Sequence, residues 1–134
     1  MIGIDTNVLV RYIVQDTDQA KLATDFLENK CSQQDPGFVC LIVLCEIVWV
    51  LRRAYKYDKS IVLSVLNKLL TTQEFEIENT PVAWRAYEEY KKGSADYSDY
   101  VIGLLGRTKD IGTVMTFDRK AANSPFFTLL VHSP

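Results

Sequence analysis

Histidine is nearly missing from this 134-residue chain; His132, close to the C-terminal end, is the only one. A lone histidine at the extreme C-terminus, away from the cysteines in sequence, argues against a His/Cys zinc site and against a histidine base for a serine or cysteine nucleophile. Cysteine is scarce too. Cys31, Cys40 and Cys45 are odd in number and form no Cys-x-x-Cys pair. Two of them stand in apolar sequence, where a reduced thiol behaves as a small hydrophobe, so a cytoplasmic protein without a disulfide framework is expected. No basic region followed by an apolar stretch opens the chain, and a protein that stays where it is made is expected. The longest apolar run, residues 41–51, is interrupted by Glu46 and is too short to cross a bilayer, which argues against a membrane role. An excess of positive charge is also lacking, since 15 Lys and Arg against 17 Asp and Glu leave a net charge of -2. That excludes a nucleic-acid coat protein, whose affinity needs many Lys and Arg contacts to phosphate. It does not exclude a site that binds cations, because the ions supply the local positive field.

What the chain does contain is enough apolar sequence, 48% hydrophobic residues, to bury a core without staples. One domain over residues 1–134 is expected, with no repeats, low-complexity segments or linkers. Residues 1–4 are a short apolar strand ending at Asp5, and Thr6-Asn7 opens a helix over residues 8–14. Asp16, Thr17 and Asp18 offer a second N-cap before a helix that runs to Lys30. Pro36-Gly37 precedes a buried strand at residues 38–40. Residues 42–57 and 60–70 read as a helical hairpin. Residues 75–78 alternate as an edge strand does, and Thr80-Pro81 starts a helix through Tyr90. Asp96 caps a further helix whose apolar side includes Tyr100, Val101, Leu104 and Leu105. Residues 113–117 are β-rich and end at Asp118, and residues 128–131 form a last strand after the loop containing Pro125. Strands alternating with helices imply a three-layer α/β/α sandwich around a mostly parallel sheet of four to five strands.

In open parallel sheets the functional crevice lies beyond the carboxyl ends of the strands, which is where Asp5 and Asp118 stand. A turn or helix-cap aspartate is the ordinary explanation for either one alone. Glu46 carries more weight, because its helix is apolar nearly all round and therefore expected to be buried. A buried carboxylate needs a partner, and either a salt bridge to Arg52, Arg53 or a lysine or a metal ion would serve. Asp96 and Asp99 are three apart and share a helical face, a spacing that suits chelation and capping equally. Several carboxylates in one crevice resist joint ionisation unless cations neutralise them. Mg²⁺ or Mn²⁺, which prefer oxygen ligands, would resolve this and could activate water against a phosphate ester.

The ordered set Ile4-Asp5-Thr6-Asn7-Val8-Leu9, Glu46 followed by Trp49-Val50-Leu51, Asp96-Tyr97-Ser98-Asp99 before Ile102, and Thr116-Phe117-Asp118 resembles the PIN domain. Within that family the chain is similar to the VapC toxins of bacterial toxin–antitoxin systems. The resemblance implies a Mg²⁺- or Mn²⁺-dependent endoribonuclease that cleaves RNA, often tRNA or rRNA, is neutralised by a cognate antitoxin, and forms a homodimer. It implies an acidic quartet of Asp5, Glu46, Asp99 and Asp118, with Asp96 as an additional metal ligand. Thr6 and Asn7 match the polar residues after the first aspartate, where Asn7 would steady Asp5, and Thr116 matches a hydroxyl beside the last acid. Cys40-Leu41 departs from the pattern, since many relatives carry Ser or Thr there, and so removes an expected helix cap.

Arg11, Arg53 and Arg119 are candidate phosphate contacts, with snorkelling surface arginines as the alternative. Tyr87, Tyr90, Tyr97 and Tyr100 could stack on bases, but their helical spacing favours core or dimer packing. Apolar positions on the two N-terminal helices and on the helix at 60–70 suit either an antitoxin groove or the core. A phosphorylation-dependent receiver domain would need adjacent acids after the first strand and an aspartate after the residue 38–40 strand; neither is present. The remaining rival is an inactive PIN-like module that binds RNA or protein without cleaving it.

Overall fold

The computed structural model describes residues 1–132. It comprises two compact units, Met1–Thr80 and a second that begins at Pro81. Each is built of short parallel strands with helices in the connections.

In the first unit β1 (Ile2–Gly3) leads through α1 (Thr6–Val14) and α2 (Gln19–Lys30) to β2 (Gly37–Val39), then through α3 (Leu41–Arg53) and α4 (Lys59–Thr71) to β3 (Phe75–Ile77). The sheet order is β1-β2-β3, both pairings are parallel, and Ile2 lies opposite Gly37 and Gly37 opposite Phe75. Gly37 eases this crossing, because a Cβ there would stand 3.0 Å from both Cys31 Sγ and Ile4 Cγ1 and those side chains would have to give by a few tenths of an ångström. α1 stops at Val14 because Gln15 turns left-handed (φ 61°). The Gln15 amide then donates to Tyr12 O at 2.7 Å and to Thr24 Oγ1 at 2.9 Å, tying α1 to α2. Leu9, Val39, Leu44, Ile47, Leu51, Val62 and Leu66 are fully buried, so α1, β2, α3 and α4 each contribute to the core. Burying side chains of this size supplies roughly 1.5–3 kcal/mol each, which is what holds such short strands in place.

The second unit contains α5 (Thr80–Lys92), α6 (Tyr97–Arg107), β4 (Val114–Thr116), α7 (Arg119–Ala122) and β5 (Phe127–Leu129), with β4 and β5 parallel. Here the core is aromatic. Tyr97 is fully buried, its hydroxyl donating to Ala83 O at 3.0 Å, and it meets Tyr90 edge to face with centroids 6.0 Å apart. Gly103 lets α6 press on Phe126, whose side chain would collide with any Cβ added there.

The parallel α/β plan expected of the sequence is therefore present, its five strands grouped as three and two. Three local readings change. The helix expected over residues 42–57 ends at Arg53. The last strand covers residues 127–129, earlier than expected, because Phe127 is buried and belongs to it. A four-residue helix, α7, follows Asp118 where a plain loop was expected. Among the described residues no helix is long and apolar enough to cross a membrane. Among the described residues no disulfide joins Cys31, Cys40 or Cys45; Cys31 is buried, and burial together with the charge of Asp35 pushes its thiol up. A thiol that holds its proton in this way is a poor nucleophile.

Candidate active site

Asp5 follows β1 in extended backbone and is itself the N-cap of α1, its Oδ1 accepting the Thr6 amide at 2.7 Å. Thr6 then turns its hydroxyl outward to donate to Glu46 Oε1, 2.7 Å away, across 40 residues of chain. One residue thus positions both acids of the first unit. Asn7, expected to steady Asp5, makes no hydrogen bond to it among the described residues; the Thr6 amide does that work. Glu46 itself corrects the sequence reading, because it is exposed, not buried. The expectation failed because α3 is apolar on both faces but packed on only one. Val43, Leu44, Ile47, Val48 and Leu51 are inside, while Ile42 and Trp49 remain 69% and 59% exposed on the side that carries Glu46. Among the described residues no ion pair to Arg52 or Arg53 holds the carboxylate; Thr6 does.

The start of α3 also resolves the Cys40 departure. Cys40 caps the helix in extended backbone with no side-chain bond. In its place Glu78, just past β3, accepts the Leu41 amide through Oε1 at 3.0 Å while its own amide donates to Val39 O at 2.9 Å. The free amide of the first turn is thereby satisfied from a distant strand end.

In the second unit the acids are held locally. Asp96 is the N-cap residue of α6, and its amide donates to Asp99 Oδ2 at 3.2 Å, a capping-box contact. Asp118 caps α7, Oδ1 accepting the amides of Lys120 at 2.8 Å and Ala121 at 3.2 Å, while its own amide donates to Thr116 Oγ1 at 3.0 Å. Burial pushes the Asp99 carboxyl above its ordinary value. The charges of Asp96 and Asp118 push the same way, against the bond from the Asp96 amide. Crowded carboxylates of this kind are relieved by a cation.

Capping and ligation were alternatives in the sequence; the geometry leaves room for both at once. Asp5, Glu46, Asp99 and Asp118 each give one oxygen to a protein donor and, among the described residues, keep the other unengaged. Carboxylate and hydroxyl oxygens without histidine or thiol are the donor set of a hard divalent cation such as Mg²⁺ or Mn²⁺, so the residues fit that ion in chemistry. No three His, Cys, Asp or Glu side chains among the described residues are grouped tightly enough to hold an ion unaided.

Two hollows adjoin the acids of the first unit. One of about 280 Å³ contains Asp5, Thr6, Arg11 and Glu46. The other, about 430 Å³, opens between α1 and α2 and is walled by Val8, Leu22, Ala23 and Phe26. The sequence reading had given the apolar positions of these two helices to an antitoxin groove or the core and had passed over Gln19; Leu22, 71% exposed, is not core. Arg53 places its guanidinium 5.9 Å from the Trp49 ring centroid, and Arg119 is exposed in the first turn of α7. Tyr87, Tyr90, Tyr97 and Tyr100 are all buried, so their role is packing. The exposed aromatics near acids are Trp49 and, next to Asp118, Phe117, which is 79% exposed.

A family model described as the PIN domain matches residues 2–126, a span that includes every acid discussed above. The chain is also similar to a VapC ribonuclease of Aquifex aeolicus (strain VF5), 23% identical over 126 residues that cover 94% of this chain and 93% of that protein. With parallel βα units and acids at their strand and helix ends, this chain belongs to the PIN domain family.

Proposed function

We propose that the protein is a divalent-metal-dependent endoribonuclease of the VapC type, in which Asp5, Glu46, Asp99 and Asp118, with Asp96, supply carboxylates to Mg²⁺ or Mn²⁺. The observation that carries this reading is that each of the four main acids is fixed through one oxygen and open at the other. A helix cap would leave the same oxygen open on each aspartate, but capping does not account for a threonine hydroxyl spent on an exposed glutamate. When bound, a hard divalent cation supplies charge neutralisation at a phosphodiester and a more acidic water. The chain's own contribution is orientation. Thr6 aligns Asp5 with Glu46, Thr116 braces Asp118, and the Asp96 amide fixes Asp99. Arg53 and Arg119 are proposed phosphate contacts. Kinship with a VapC ribonuclease supports RNA as substrate and a cognate antitoxin as partner; a toxin role, tRNA or rRNA among the targets and a homodimer belong to the proposal through the resemblance read from the sequence. Cysteines held outside any disulfide, Cys31 buried among them, support a cytoplasmic location.

The test is cleavage of total RNA with Mg²⁺ or Mn²⁺ by wild type, Asp5→Ala and Asp99→Asn, each with and without chelator. Cleavage by wild type alone, abolished by chelator, is the expected result. Equal cleavage by all three would mean a contaminating nuclease. The lack of a ready three-carboxylate group among the described residues favours one second reading, an inactive PIN-like module that binds RNA or protein. Absence of cleavage under every condition would select it. Light scattering on the purified protein checks the homodimer.

A further inference from the structure

Arg11 stands on the boundary of both hollows, together with Asp5 and Asn7, and among the described residues it is the only cation lining either. Its partners are neutral. Nε donates to Gln19 Oε1 at 3.0 Å and Nη1 to Tyr55 Oη at 3.4 Å, and no carboxylate pairs with it among the described residues. The guanidinium is therefore oriented without being neutralised, and Nη2 is left open among those residues. An arginine held in this way presents full charge and one open edge of its fork, the arrangement suited to a phosphate oxygen.

On one side of that charge lies the acid-bearing hollow; on the other lies a cup whose walls are mostly apolar, with Leu22 71% exposed at its rim and Phe26 half-buried. The cup, at about 430 Å³, falls within the ordinary size of ligand pockets. A ligand that engages both halves joins an apolar part to an anion, and a nucleotide of the RNA bound at the neighbouring acids is such a ligand. Single-stranded RNA can swing a base out to reach such a cup, whereas a paired base cannot.

We infer that the α1–α2 cup receives the base of the nucleotide next to the cleaved phosphodiester, while Arg11 Nη2 binds the phosphate attached to it. The cup then sets a base preference at one position of single-stranded RNA, with Gln19 and Tyr55 as positioning residues for Arg11. This inference rests on the ribonuclease reading above.

The experiment uses the full chain and its variants Leu22→Glu and Arg11→Gln. Leu22 is exposed, so its replacement does not threaten the fold. Cut ends are mapped on a pool of randomised single-stranded RNAs with Mg²⁺ or Mn²⁺, and KM is measured on one preferred oligonucleotide. Wild type is expected to favour a base at one position beside the cut, Leu22→Glu to lose that preference by setting a carboxylate where the base would pack, and Arg11→Gln to raise KM about tenfold, as loss of one charge-assisted contact does. Unchanged preference and KM in both variants overturn the inference. If wild type cleaves no RNA, the ribonuclease reading fails by itself, and anisotropy of a labelled single-stranded oligonucleotide decides the cup. Binding weakened about tenfold by Leu22→Glu sustains it as a nucleotide subsite. Equal binding by wild type and variant, or none by either, overturns it. If Leu22→Glu leaves RNA binding and cleavage intact but releases a co-expressed protein from the neighbouring reading frame, the cup is a protein groove and the inference falls.

Discussion

The two units solve one problem, how to hold carboxylates at a surface, by different means. In the first, Asp5 is fixed by its neighbour, but Glu46 is fixed by a hydroxyl 40 residues away, so its orientation depends on α1 packing against α3. In the second, Asp99 and Asp118 are held by amides within three residues, on the first turns of α6 and α7. The first arrangement is only as good as a hydrophobic core; the second survives as long as a helix end does. Mutations that loosen packing should therefore separate the two sets.

The largest effect is expected from Leu9→Ala, which removes a fully buried side chain from α1. Such truncations cost about 3 kcal/mol, read as a shift in the denaturation midpoint. RNA cleavage should fall even where the variant is fully folded, because α1 carries Asp5 and Thr6. Next comes Glu78→Ala, which leaves the Leu41 amide at the head of α3 without its acceptor. The loss of such a cap is on the order of 1 kcal/mol by equilibrium unfolding. Thr6→Val should cost less, roughly 0.5 kcal/mol, since the hydroxyl bond is exposed. Its mark should be on turnover, which we expect to drop about tenfold as Glu46 loses alignment. A stability loss without that drop would break the comparison.

The smallest effects are in pH dependence, measured in chelator, and they differ in sign. Asp58 caps α4, and its carboxyl is lowered first by the Ser60 hydroxyl and then by the Ile61 amide. It contributes stability above the ordinary value near 3.8, and that stability is lost as pH falls through the lower folded value. Asp99 is raised, mainly by burial, so its ionisation costs stability at neutral pH, and the cost disappears as pH falls through the raised value toward 3.8. Against wild type, Asp99→Asn should thus melt higher near pH 7, with the difference closing in mild acid. Asp58→Asn should melt lower near pH 7 and converge with wild type only in stronger acid. Differential scanning fluorimetry across pH checks both; parallel profiles would show that the two carboxyls are not perturbed in opposite directions.

Much of this was legible in the sequence because it is local. Asp96 three residues before Asp99 and Asp5 at a strand end are patterns that capping chemistry makes readable, whereas Thr116 beside Asp118 was singled out by the family resemblance. What was not legible depends on which face of an element is covered. α3 carries apolar residues all round, and nothing in residues 41–51 says that Ile42 and Trp49 stay outside with Glu46. Glu78 as a substitute cap for Cys40, and Thr6 rather than Asn7 as the brace between acids, are contacts between distant segments that no periodicity encodes. α7 went unread because four residues are too few to show a helical period.

Anchoring each acid through one oxygen also has an entropic consequence. A side chain that is already restricted to one rotamer by a hydrogen bond has little freedom left to surrender when an ion arrives, and such freedom is otherwise worth up to about 1.5–2 kcal/mol for a residue like glutamate. The scaffold around the acids is then rigid before loading rather than assembled by it. Prolonged dialysis against a chelator should silence the protein without unfolding it, and activity should return as fast as the ion is restored.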